Sequence, residues 1–305
     1  AKEPIIPLGL FRNRTVTASI VATTLMSFGF FGAIIFIPRW FQFVLGSSAT
    51  ESGYQMLPLM AGVMGSSIGS GFFVARTGRY KWMTVAAMAL GALGLYLMTN
   101  IRADTDVMTV WLWMFIAGLG IGPSFAVFTI VVQSAVSQRM LGAATSALTF
   151  FRQVGGSVGL AIAGTVFAST LRAEAPVQVS ARLVAAGVPQ SQIDQFAGQF
   201  SSSGFTLDDL SAVGDMGARI LAQVPDQLRP FVEPLIPFIV QGIHQAFSLA
   251  IANTLWISLV ATLVALGTGV AYGYSAFVTL WPGSTMHAES PVARRGGATQ
   301  VPATE

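Results

Sequence analysis

Cysteine is absent from the 305-residue chain, and charged side chains are scarce. Without cysteine, the chain has no disulfide, thiolate nucleophile or cysteine metal site. Charged residues make up 10% of the chain and apolar residues 53%, whereas soluble domains are about 25% charged. So few charges cannot cover a soluble protein of this size, and the composition therefore predicts a membrane protein. We attribute the net charge of +3 to basic residues in cytoplasmic loops, not to a nucleic-acid partner.

Acidic residues are absent from every long apolar run of the chain. A proton relay inside a membrane normally needs a carboxylate or a histidine. The candidates are Arg152 and His244, so the main acid of any proton-coupled process is expected outside these residues. The chain also lacks a P-loop, which excludes an ATP motor of that kind. We expect no catalytic residue, metal or cofactor, and a proton gradient as the source of energy.

Six apolar runs predict an all-α protein with six transmembrane helices. A helix rises 1.5 Å per residue, and about 17 to 25 residues cross a bilayer core about 30 Å thick. A long extracytoplasmic loop with short amphipathic helices, residues 171–244, is expected before the last span. The predicted spans are residues 15–38, 52–74, 82–98, 107–134, 142–169 and 245–274.

The distribution of Lys and Arg predicts the topology in the cell membrane. If the loops alternate between sides, nine of these residues fall on the side of the termini and two in the opposite short loops. By the positive-inside rule both termini are cytoplasmic, including the lead-in 1–14 and a polar, unstructured tail 275–305. The chain begins Ala1-Lys2-Glu3-Pro4 without a signal-peptide pattern, and we expect it to be the later part of a longer polypeptide.

A few polar residues within the spans are candidates for the wall of a substrate cavity. Ser19, Thr23 and Ser27 recur every four residues and so share one helical face. Their hydroxyls either bond to the preceding turn or face a polar cavity. Asn253, Thr254 and Trp256 in the last span either face the same cavity or form helix-packing contacts.

The fifth span carries the one charged residue within the six spans, Arg152. A charge at the centre of a membrane helix costs roughly 2.5–3.5 kcal/mol, so Arg152 either snorkels to lipid phosphate or faces inward to a partner. Gln153 points about 100° away. Gly155 and Gly159 follow at helical spacing and predict close helix packing. We interpret these four residues as structural or gating elements.

Small residues predict three further places where helices approach closely. Ala61, Gly65 and Gly69 lie four apart in the second span, Ala87 and Gly91 lie four apart in the third, and residues 118–123 (GLGIGP) lie at the centre of the fourth. No strand precedes these glycines, which argues against a dinucleotide site.

Three stretches together resemble the major facilitator superfamily, and within it the fourteen-span drug:proton antiporter branch. Residues 7–14 (PLGLFRNR) are similar to the lead-in before that branch's ninth span. Residues 71–81 (GFFVARTGRYK) resemble the superfamily's cytoplasmic signature loop. Residues 151–159 (FRQVGGSVG) are similar to a segment of the branch's thirteenth span.

The resemblance implies the C-terminal bundle of an alternating-access exporter of drugs or other amphipathic compounds. It implies that an N-terminal half, which carries most proton-carrying acids, is the partner of this chain in the lipid bilayer. Arg76, Gly78 and Arg79 of the signature loop are then gating candidates, although Ala75 replaces the loop's usual Asp.

Two other functions are compatible with the sequence. One is a membrane scaffold or receptor half that acts through the outer loop. The other is an intramembrane hydrolase built on Ser124 and His244, for which the sequence shows no orienting acid.

Overall fold

Residues 8–77, 80–190 and 229–280, with the single residues 193, 217 and 221, are described by a computed structural model. Among these residues there is no strand, and five helical segments are long and apolar enough to cross a membrane, with α4 a shorter apolar helix. The α-helices of seven or more described residues are α1 (Arg14–Val44), α2 (Ala49–Gln55), α3 (Leu57–Thr77), α4 (Tyr80–Met98), α5 (Val107–Ser134), α6 (Leu141–Ala185) and α7 (Ile236–Leu280).

The helices form one bundle in which α1 is central. Helix α1 packs against α5, α6 and α7, while α5 also packs against α3 and α4, and α7 against α4 and α6. The main core contains fully buried Trp40, Phe41 and Met114. Trp40 donates a hydrogen bond from Nε1 to Ser248 Oγ, 2.9 Å away, which ties α1 to α7.

The glycines at the centre of α5 bring helices close on two sides, which confirms the predicted close approach. A Cβ at Gly118 or Gly122 would overlap the backbone of α3, whereas a Cβ at Gly120 would overlap Gly91 of α4. Residues two positions apart in a helix point in directions about 200° apart, so alternate glycines face opposite neighbours. The sequence Gly-x-Gly-x-Gly therefore places α5 between α3 and α4.

On α3, the face that packs on α5 differs from the predicted one. Gly62 and Ser66 lie against α5, and the Ser66 hydroxyl donates to the carbonyl oxygen of Gly118 at 3.3 Å. Gly65 and Gly69 are exposed with Ala61, and a Cβ at either glycine would meet no described heavy atom within 4 Å. Within the described residues no helix therefore approaches closely at Ala61, Gly65 and Gly69, because the face of α3 that packs on α5 lies about 100° further around the helix.

Helix α1 continues past the predicted end of the first span at Pro38. It reaches Val44, because Trp40 and Phe41 beyond the proline are fully buried and hold the last turns against the bundle. Neighbouring helices can compensate for the hydrogen bond that a proline removes.

Helix α6 also differs from the prediction, since it runs without a break from the fifth span to Ala185. Leu171 and Leu183 are buried on this extension, and a Cβ at Gly242 would lie 2.6 Å from the Val179 Cα. The first turns of α7 therefore pack on the extension, and the predicted loop 171–244 begins and ends as helix. Helix α7 runs to Leu280, beyond the predicted end at 274; residues 191–228 of the predicted loop, apart from residues 193, 217 and 221, and residues 281–305 lie outside the described part.

Candidate functional site

Helices α1, α5 and α6 meet around the ring of Phe125. The guanidinium carbon of Arg152, on α6, lies 4.5 Å from the centroid of this ring. Phe30, on α1, contacts the same ring edge-on at a centroid distance of 5.4 Å. The one charged residue in the predicted spans is thus held by an aromatic face inside the bundle. Sequence reasoning missed Phe125, because one phenylalanine among 22 carries no distinguishing signal.

The surroundings of Arg152 compensate its charge only in part. A desolvated cation–π contact contributes about 2 kcal/mol, below the roughly 2.5–3.5 kcal/mol that a charge at the centre of a membrane helix costs. Nε of Arg152 is buried without a hydrogen-bond partner, and such a donor adds about 1–3 kcal/mol of desolvation cost. The arrangement therefore favours a further, anionic or hydrogen-bond-accepting group near the guanidinium.

Glycines that follow Arg152 fix its position by seating α6 on α1. A Cβ at Gly155 would overlap the Thr24 carbonyl oxygen, and a Cβ at Gly159 would lie 2.7 Å from the Phe28 ring. Both glycines are buried, as predicted for close packing, while Gln153 is exposed.

The predicted hydroxyl stripe of α1 is buried inside the bundle. Ser19 and Ser27 donate to the carbonyl oxygens of Thr15 and Thr23, each at 2.8 Å, as expected for bonding to the preceding turn. Thr23 is fully buried, and its own hydroxyl has no hydrogen-bond partner in the described structure. Thr23 and Phe30 are seven residues apart and share one side of α1, so the free hydroxyl is on the side that faces α5.

Asn253 and Trp256 are on a different surface from this stripe. Both are exposed on α7, and Trp256 contacts the Tyr96 ring edge-on at 6.0 Å. The structure does not bring them together with the α1 hydroxyls. The buried polar residues of α7 among those described are Ser248, Thr254, Ser258 and Thr262. Ser258 and Thr262 continue the spacing of four that begins at the candidate Thr254, and this spacing could have identified them.

Residues of the other hypotheses do not form a site in the described part of the chain. The Ser124 hydroxyl donates to the Gly120 carbonyl oxygen, and the His244 ring lies against Phe43, so no Ser–His pair is formed there. No cluster of three or more potential metal ligands occurs among the described residues. Arg76 is exposed at the end of α3, whereas Gly78 and Arg79 lie outside the described residues.

Asn13 of the PLGLFRNR stretch joins two helix ends near the start of the bundle. Its side-chain oxygen accepts hydrogen bonds from the backbone of Thr15 and Val16 and caps α1. Its Nδ2 donates to the carbonyl oxygen of Ala135, 2.9 Å away, just beyond α5.

We expect Asn13→Ala to destabilise the chain by about 1–3 kcal/mol, the combined magnitude of a helix cap and one hydrogen bond. The measurement is the thermal unfolding midpoint of the detergent-solubilised chain. Asn13→Ser keeps a capping oxygen but is too short to reach Ala135, so its midpoint should lie between wild type and alanine. Equal midpoints for all three proteins would rule out this role.

The family is decided by comparison with known proteins. A family model of the Major Facilitator Superfamily matches residues 1–160, more than half of the chain. The chain belongs to the major facilitator superfamily. It is accordingly a multi-pass membrane protein, and the family predicted from the three stretches is confirmed.

Relatives in the superfamily include drug-resistance proteins. The chain is 39% identical over 166 residues to the multidrug transporter protein MdtP of Bacillus subtilis, covering 54% of this chain and 30% of that protein. It is 30% identical to a tetracycline resistance determinant of Streptomyces rimosus, and the match covers 73% of this chain and 67% of that protein. An uncharacterised MFS-type transporter of Mycobacterium tuberculosis is 39% identical over 56% of this chain and 25% of its own length. The chain thus spans between a quarter and a third of MdtP and the mycobacterial protein.

A solved structure supports the fold independently. A bacterial homologue of the human lysosomal transporter Spinster, in an inward-facing and unoccupied conformation, matches 88% of this chain and 52% of its own with a TM-score of 0.53. At 16% identity this likeness concerns the fold alone. The predicted all-α, major-facilitator-type fold is confirmed.

Proposed function

We propose that the chain is the C-terminal bundle of a proton-coupled exporter of drugs or other amphipathic compounds. The bundle would work by alternating access, rocking against an N-terminal bundle around a site near the membrane midplane. Family membership supports transport, and the relatives named for multidrug transport and tetracycline resistance support export. Both termini would be cytoplasmic, in keeping with the distribution of basic residues.

The main support for a half-transporter is the exposure of α3 and α6. In the most apolar 18-residue stretch of each of these two segments, 22% and 28% of the residues are buried, whereas the corresponding values are 56% in α1 and 61% in α5. Their exposed surfaces carry small residues as well as large apolar ones, which suits helix–helix packing better than lipid contact alone. A second bundle of the same polypeptide would cover these faces. The exposed apolar residues include Met64, Ile68, Phe72, Val154, Val158 and Ile162.

Proton coupling would depend on residues of the other bundle. The six predicted spans contain no Asp or Glu, and proton relays in membranes normally use such groups. In this proposal the chain supplies one wall of the cavity, including the surroundings of Phe125, and the partner half supplies the proton carrier.

Expression in a drug-sensitive bacterium tests the proposal. The full-length polypeptide should lower the accumulation of tetracycline or ethidium, and a protonophore should restore it. Residues 1–305 alone should insert into the membrane without lowering accumulation. If the full-length protein lowers the accumulation of no compound in a broad drug panel, export is refuted; if export persists with the protonophore, proton coupling is refuted.

A further inference from the structure

We propose that Arg152 and Phe125 form a recognition site for aromatic organic anions, such as compounds with a carboxylate or an ionised phenol. The inference rests on the proposed transport function and specifies its substrate class. The sequence predicts a structural or gating role for Arg152 and says nothing of Phe125. The contact between the two side chains indicates a binding role, because the ring holds the guanidinium in place for a ligand.

The guanidinium of Arg152 is held in position but has no charged partner among the residues that the structure describes. It lies over the Phe125 ring at 4.5 Å, and Phe30 supports the ring from α1. Among the described residues Arg152 has no ion pair, and its Nε has no hydrogen-bond partner. The terminal N–H groups of the guanidinium, unlike the buried Nε, are left for a ligand, and they match the two oxygens of a carboxylate.

Neighbouring groups suit the rest of such a ligand. Phe30 and Phe31 contact each other edge-on, and both are partly exposed, so an aromatic ring could pack against them. An aromatic cation would instead approach an uncompensated positive charge, since the predicted spans contain no acidic residue.

A lipid phosphate offers the same chemistry but fits the position less well. Arg152 is eleven residues from the start of α6 at Leu141, which corresponds to about 16 Å along the helix axis. That distance is about half of a bilayer core 30 Å thick. A ligand inside the bundle is therefore favoured over a headgroup at the membrane surface.

Two dyes with the same ring skeleton and opposite charge test whether the site prefers anions to cations. The full-length polypeptide in phosphatidylcholine nanodiscs is titrated against fluorescein, an anion, and rhodamine 123, a cation, with fluorescence anisotropy as the readout. Arg152→Gln should weaken fluorescein binding by about tenfold to a hundredfold, the range expected for a charge-assisted hydrogen bond. Rhodamine 123 binding should change by less than about twofold.

Three further variants refine the test. Arg152→Lys keeps the charge but loses the planar guanidinium, which can form two parallel hydrogen bonds. Its affinity for fluorescein should lie between those of the wild type and Arg152→Gln. Phe125→Leu removes the aromatic support and should also weaken fluorescein binding more than rhodamine binding. Arg39→Gln, the same change at an exposed residue near the end of α1, should leave both affinities unchanged.

Several outcomes would overturn the inference. These are no fluorescein binding to wild type, an equal loss for both dyes in Arg152→Gln, or no loss in that variant. A fluorescein affinity that falls in phosphatidylglycerol nanodiscs for wild type but not for Arg152→Gln would identify a lipid-phosphate site instead. Export of rhodamine 123 without recognition of fluorescein would refute this inference and leave the proposed export function intact, whereas absence of all export would refute that function.

Discussion

Replacement of Gly120 by alanine is expected to prevent normal packing of the bundle. A Cβ at this position would overlap the backbone nitrogen and Cα of Gly91, and a backbone cannot rotate away as a side chain can. Helices α4 and α5 would have to separate, and the contact of Gly94 with Ala117 in the same seam would open with them. We expect the free energy of unfolding to fall by about 3 kcal/mol or more, which is the upper end of the cost of overpacking a core.

The measurement is the fraction of the chain that remains monodisperse in mild detergent, together with its thermal unfolding midpoint. Gly267→Ala is the matched control, because a Cβ there would meet no described heavy atom within 4 Å. We expect the control to behave like wild type. A Gly120→Ala protein with the wild-type midpoint would contradict the close contact between α4 and α5.

If the chain is the C-terminal half of an exporter, as proposed, replacement of Gly65 by leucine is expected to reduce transport by the full-length protein strongly while leaving residues 1–305 as stable as before. Gly65 lies on the exposed face of α3, where a Cβ would meet no described heavy atom within 4 Å. If the second bundle packs on this face, a leucine would force the two halves apart at a place where small residues allow close approach. We expect drug export to fall by at least about tenfold, which corresponds to about 1.4 kcal/mol of lost interaction.

Two measurements are compared for this variant: drug accumulation in cells that express the full-length protein, and the thermal midpoint of the chain alone. Gly267→Leu provides the control, since Gly267 is exposed on α7, near the apolar and exposed Val260, Leu263 and Val264. That face resembles a lipid-facing surface, so the control should retain export. Full export by Gly65→Leu would show that the second bundle does not pack closely at this position.

Much of the fold could be predicted from the sequence, because it depends on local properties of the chain. The length of the apolar runs required helices that cross a bilayer, and the observed α5, Val107–Ser134, has the predicted bounds. The glycines from 118 to 122 predicted close packing, since a glycine in a membrane helix allows another backbone to approach wherever it faces a neighbour. Arg152 could be singled out because a charge in an apolar helix requires a compensating contact.

The candidate site was less predictable, because it depends on which residues of separate helices meet. Helical spacing showed that Ser19, Thr23 and Ser27 share one face, and only the packed structure distinguishes the unpartnered Thr23 hydroxyl from the two that are hydrogen-bonded. Nothing along the chain links Phe125 to Arg152, which are 27 positions apart.

By itself, the sequence determined the membrane class and the six apolar segments, because apolar length and charge placement are properties of single segments. The family followed from stretches that resemble those of the superfamily, and the family model confirmed it. The tertiary structure alone decided that α3 packs through Gly62 rather than Gly65, that α6 continues to Ala185, and that the aromatic face of Phe125 holds Arg152. The physical reason is that lipid tails and neighbouring helices are equally apolar. Hydrophobicity therefore places a helix in the membrane, whereas the shapes and polar groups of its neighbours determine which of its faces is buried.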